Sequence, residues 1–83
     1  MELTRAVGEN IKRIRKSKKL SMERLAAESG VSRSMLGQIE RGEANPSVAL
    51  LGKLAAALKV PAEVLLENDD FQTLQLEIGR AHV

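Results

Sequence analysis

Punctuation constrains this chain more than any other feature. Ser21, Ser32 and Ser47 each stand at the head of a short segment with helical apolar spacing, and Gly30 and Gly42 close two of those segments. A serine in front of a helix accepts from a free backbone N–H, and a glycine behind it takes up the left-handed backbone that ends the helix. The spacing predicts five helices. The first has Thr4 as N-cap, ends near Lys18 and carries one narrow apolar stripe, Val7, Ile11 and Ile14. The second runs from Met22 to Ser29 with Leu25 and Ala26 inward, and the third from Arg33 to Arg41. After the Asn45-Pro46 turn a fourth helix turns Leu51, Leu54, Ala55 and Leu58 to one face, and Pro61 begins a short fifth with Val64 and Leu65 inward. No stretch alternates apolar and polar residues as a half-buried strand would. The expected fold is all-α, a single domain over residues 1–66 followed by an acidic linker and tail over 67–83.

Composition removes most chemistry from consideration. The chain has no cysteine, which excludes a disulfide framework, a thiolate metal site and a cysteine nucleophile. Its one histidine, His82, is next to last, so no histidine triad or metal cluster can be assembled. Phe71 is the sole aromatic residue, too little for a base-stacking platform. Asp69 and Asp70 read as solvated linker carboxylates without a nucleophilic or basic partner. The expectation is a non-enzyme without cofactor or metal. With no membrane-length apolar run and no signal-peptide pattern, it is expected to be cytoplasmic.

Net charge is only +2, but it is unevenly placed. Residues 1–20 carry seven basic and two acidic side chains, residues 21–42 three of each, and residues 43–83 three basic and six acidic. A cationic first helix with so narrow an apolar stripe suits phosphate better than a membrane surface. Lys12 and Lys16 on that helix are candidate phosphate contacts. Gly8, costly inside a helix, points to a close helix crossing.

The second and third helices form the informative unit. A helix-turn-helix needs a small residue in its first helix, a glycine at the turn and a buried apolar residue after it. Ala26, Gly30 and Val31 supply these in order. Leu36 and Ile39 then anchor the third helix from below, which turns Arg33, Ser34, Gly37, Gln38 and Arg41 to the opposite face. A helix so presented fits a DNA major groove, where arginine grips guanine O6/N7, glutamine grips adenine N6/N7, and Gly37, without a side chain, permits close approach to the backbone or a thymine methyl. Ser21 and Ser32 lie at helix starts, where hydroxyls and free amides suit phosphate.

The stretch from Ser21 to Leu66, with Gly30-Val31-Ser32, Ile39-Glu40-Arg41-Gly42 and Asn45-Pro46-Ser47 at these spacings, resembles the Cro/repressor-type (XRE) helix-turn-helix domain, and residues 8–20 resemble its first helix. The resemblance implies a five-helix, lambda-repressor-like fold. It also implies sequence-specific binding of double-stranded DNA by a prokaryotic transcriptional regulator, as a homodimer on a near-palindromic operator. Carried over, it makes Arg33, Ser34 and Gln38 base-reading residues, sets Gly37 and Arg41 beside the groove, and joins Glu40 to Arg15 in a structural pair. One departure is Met22, which stands where many phage members have a glutamine that braces the recognition helix. The wording from Met35 to Pro61 is similar to the branch fused to a C-terminal cupin sensor, so any small-molecule effector would act through such a domain. The alternative is an antitoxin or other protein-interaction module with secondary DNA binding. Leu50 is a candidate exposed contact on the fourth helix.

The tail carries a separate expectation. Glu77 to Val83, back-translated as GAG ATC GGA AGA GCA CAC GTC and followed by TGA, resembles a sequencing adapter read in frame. Residues from about 77 onward are therefore expected to be foreign to the gene and the chain to be a truncated N-terminal fragment.

Overall fold

Each of the three serines does what its position predicts. In the computed structural model, which describes residues 3–67, the Oγ atoms of Ser21, Ser32 and Ser47 accept from the backbone N–H of Arg24, Met35 and Leu50 at 3.0, 3.1 and 3.1 Å. The helices are α1 (Leu3–Ser17), α2 (Met22–Ser29), α3 (Arg33–Glu40), α4 (Val48–Leu58) and α5 (Ala62–Leu66). Two starts differ from expectation. Thr4 lies inside α1 rather than capping it, because the helix is already formed at Leu3. Pro61 is the N-cap residue of α5 and not its first turn; its φ of −65° is shared with the helix but its ψ of 147° is extended. The tail from residue 68, with the adapter-like segment, lies outside the described residues.

The ends of the first four helices follow one rule as well. Gly30 (φ 75°) and Gly42 (φ 77°) are left-handed, as expected of them, and so are Lys19 (φ 59°) and Lys59 (φ 61°). After α1, α3 and α4 the residue following the left-handed one donates five residues back: Leu20 to Arg15, Glu43 to Gln38 and Val60 to Ala55, at 3.0, 2.8 and 3.1 Å. This is the Schellman closure, and it satisfies carbonyls that a helix end otherwise leaves open.

These short helices are held by one core rather than by their own propensity. Ile11, Leu25, Leu36, Ile39, Leu54, Leu58 and Leu65 are fully buried, so every helix contributes at least one. α1 packs on α3 and α5, α2 on α3 and α4, and α4 on α5. The α1–α3 crossing is tight enough to require glycine. A Cβ at Gly8 would stand 2.1 Å from the carbonyl oxygen of Ile39 and 3.0 Å from that of Glu40. α5 is tied on separately: buried Asn10 donates from Nδ2 to the carbonyls of Leu65 (3.0 Å) and Glu67, and Arg13 donates to its Oδ1 at 2.9 Å. The sequence reading did not single out Asn10. Among the described residues no helix is long and apolar enough to cross a membrane.

Candidate nucleic-acid interface

α3 is fixed from behind at three points. Leu36 and Ile39 are fully buried, and the backbone of Ile39 and Glu40 rests on Gly8. The third point is the predicted structural pair. Arg15 donates from Nε and Nη2 to the two oxygens of Glu40 at 2.7 and 3.1 Å, and its Nη1 donates to the carbonyl of Leu20 at 2.8 Å. Both side chains are nearly buried, 9% and 5% exposed. A two-pronged pair with its remaining donor also satisfied fixes helix orientation as well as distance. α3 therefore cannot roll without breaking buried charge contacts.

The opposite face is open. Arg33, Ser34, Met35, Gln38 and Arg41 are all exposed. Ser34 and Gln38 make no side-chain hydrogen bond to any described residue, so their donors and acceptors are available. Gly37 departs from expectation, because it is buried rather than open. The Arg41 guanidinium folds over it, 3.1 Å from where a Cβ would stand, and the Met22 thioether methyl lies 3.7 Å from the same point. Helical periodicity set Gly37 toward the open face, but only the absence of a side chain there lets its longer neighbours close over the backbone. Met22, at the place of the expected glutamine, thus packs on the reading helix instead of bracing it by hydrogen bonds.

Three of the surface arginines are already paired. Arg33 donates from Nε to Glu23 at 2.7 Å, linking α3 to α2. Arg24 donates from Nε to Glu28 at 2.5 Å within α2, and Arg41 meets Glu43 through Nη2 and Nε, each at 3.1 Å. The hydrogen bond from Arg33, reinforced by its charge, holds the Glu23 carboxyl below its usual range. The Arg33–Glu23 pair is accordingly intact at neutral pH and is lost only in acid, as the carboxylate protonates. Glu28 and Glu43 likewise raise Arg24 and Arg41 through their hydrogen bonds. Glu23 and Glu43 were not picked out as site residues by sequence reading. The signal was the opposite charge facing Arg33 and Arg41 across a turn.

The remaining predicted residues sit around this face. Ser21 and Ser32 spend an acceptor lone pair on their caps, which leaves each O–H free to donate. Lys12 and Lys16 are exposed and form no ion pair with any described residue. At about 100° per residue they share a stripe with Arg5, flanking the line of Gly8 and Arg15 that meets α3. Val48, rather than half-buried Leu50, is the exposed large apolar residue of α4, at 88%. Among the described residues no group of acidic or histidine side chains is placed to hold a metal ion.

Known proteins resemble this chain in sequence and in fold. The family model HTH_3, helix-turn-helix, matches residues 11–65. The HTH-type transcriptional regulator SutR of Escherichia coli K12 is 48% identical over 71% of this chain and 33% of its own length. The HTH-type transcriptional regulator y4dJ of Sinorhizobium fredii is 43% identical over 84% of this chain and 91% of its own. SinR of Bacillus subtilis is 42% identical over 75% of this chain and 57% of its own, so the chain spans only part of two of these three relatives. Among solved structures, the restriction-modification controller protein C.AhdI of Aeromonas hydrophila superposes with a TM-score of 0.73 at 39% identity, over 75% of this chain and 94% of that one. The hypothetical transcription factor NHTF from Neisseria gives 0.80 at 32% identity, over 89% and 84%.

Proposed function

Because the chain belongs to the HTH_3 helix-turn-helix family, whose relatives are transcriptional regulators, we propose that it binds double-stranded DNA sequence-specifically and regulates transcription. The observation that carries this reading is the contrast between the two sides of α3. Its inner side is locked by Leu36, Ile39, the Gly8 crossing and the Arg15–Glu40 pair, while its outer side offers Arg33, Ser34 and Gln38. A rigid helix with free polar groups on one face can read base edges by direct contact.

In this reading Arg33 and Gln38 contact bases, with Ser34 beside them. Gly37 takes no part in close approach while Arg41 covers it. Arg41, Ser21, Ser32, Lys12 and Lys16 anchor to phosphate, the serines by the O–H that capping leaves free. The protein acts as a homodimer on a near-palindromic site in the cytoplasm, without catalysis, and an effector, where one acts, works through a sensor domain. The test is selection of binding sites from random duplexes, followed by anisotropy titration of the enriched sequence. An enriched motif with two half-sites about one helical turn apart is expected. Equal affinity for all duplexes would overturn the assignment.

A further inference from the structure

We propose that Glu23 is a positioning residue for base recognition: it holds the Arg33 guanidinium by Nε, so that the Nη1/Nη2 fork is presented outward for guanine O6 and N7. The inference rests on the reading of α3 as the base-reading helix and deepens it.

The geometry of the bond is the first argument. Arg33 hydrogen-bonds the Glu23 carboxylate through Nε alone, at 2.7 Å, and its two terminal nitrogens donate to no described residue. A bidentate grip on guanine uses two guanidinium nitrogens and leaves one edge for a brace. The neighbouring pair is arranged differently. Glu43 engages both Nε and Nη2 of Arg41, which occupies the side edge that the Glu23 contact leaves half free.

The second argument is where the brace comes from. Glu23 is on α2 and Arg33 on α3, so the carboxylate is placed by the fixed Gly30-Val31-Ser32 turn rather than by the helix that carries the arginine. Arg24–Glu28, by contrast, is an ordinary pair one turn apart on α2. Met22, next to Glu23, carries no polar group toward the reading face and packs over Gly37, leaving Glu23 as the residue at the start of α2 that can orient a reading side chain.

Stability does not account for the pair. Glu23 and Arg33 are 69% and 57% exposed, and a pair so open contributes little to folding. A carboxylate beside DNA also repels phosphate, so it weakens binding to every sequence. What it supplies is order: an arginine has many rotamers, and fixing it beforehand removes an entropic cost that falls only on the productive contact. A repulsive charge offset at one base pair raises discrimination at the expense of general affinity.

The experiment uses the whole chain and the motif enriched by the wild-type protein. Titrating Arg33→Ala against every base-pair change in one half-site identifies the pair that Arg33 reads. Wild type, Glu23→Ala, Glu23→Gln and Glu43→Gln are then compared at that pair and on an unrelated duplex. Glu23→Ala should reduce the preference for guanine about fivefold or more, and Glu23→Gln by less, because the amide oxygen can still accept from Nε. Binding to the unrelated duplex should be unchanged or tighter, and the melting temperature unchanged. Glu43→Gln removes the same charge, so it should tighten all duplexes alike and keep the preference. Full preference in Glu23→Ala, or equal loss of it in Glu43→Gln, overturns the inference while leaving the DNA-binding assignment standing. Failure of the wild type to enrich any motif overturns both.

Discussion

Gly8 is the residue least able to change. A β-carbon there would lie 2.1 Å from a backbone carbonyl, and backbone cannot swing aside as a side chain can. Gly8→Ala is expected to cost about 3 kcal/mol or more despite alanine's better helix propensity, read as a fall in melting temperature of the order of 10 °C or more. Gly37 makes the opposite case. Its missing Cβ faces the mobile end of Arg41 at 3.1 Å and Met22 at ordinary contact distance. Gly37→Ala should therefore raise stability by up to about 1 kcal/mol, because a guanidinium can move where a carbonyl cannot. Thermal unfolding of the two variants side by side checks both signs. The two glycines also mark the limits of reading by sequence. That Gly8 meant a close crossing was legible, because glycine inside a helix is otherwise costly. That Gly37 would be covered was not, because its cover comes from rotamers of Arg41 and Met22 that no periodicity encodes.

Between helices, the decisive contacts are polar and buried. Arg15 and Glu40 join α1 to α3 with every formed bond inside the domain, so removing one partner strands the other. Glu40→Gln, and more so Glu40→Ala, should destabilise the domain by about 3–5 kcal/mol. The double replacement Arg15→Met with Glu40→Leu should recover much of that loss, since neither charge is then left unpaired, and chemical denaturation of the three variants measures the difference. Element boundaries were largely legible, because Ser21, Ser32, Ser47, Gly30 and Gly42 carry their own local chemistry. The Arg15–Glu40 pair was legible only through family resemblance, since nothing local joins residues so far apart. Asn10 was not legible at all: a lone asparagine on a helix reads as surface until the carbonyls of Leu65 and Glu67 are brought against it. That lysines, Lys19 and Lys59, take the left-handed position after α1 and α4 was not legible, since a side chain carries a steric cost there that glycine does not.

At the scale of the whole molecule, the described positive charges assigned to the DNA-facing side fall into two populations. Arg24, Arg33 and Arg41 stand on or beside the reading face with a glutamate each, whereas Lys12 and Lys16 on α1 have no acidic partner among the described residues. Replacing Lys12 or Lys16 by alanine should weaken binding to all duplexes alike and lower the slope of log affinity against log salt by about 1 for each bound protomer, measured by titration at several salt concentrations. The same division has a consequence in time. Lysines without partners attract DNA from a distance and hold it loosely, so the salt-sensitive part of the encounter is the approach. Arg33, in the proposed reading, instead meets DNA with its charge already offset by Glu23 and gains only where a base presents the right acceptors. Arrival is thus governed by ionic strength and departure by sequence: a protein built this way finds many places quickly and lingers at few.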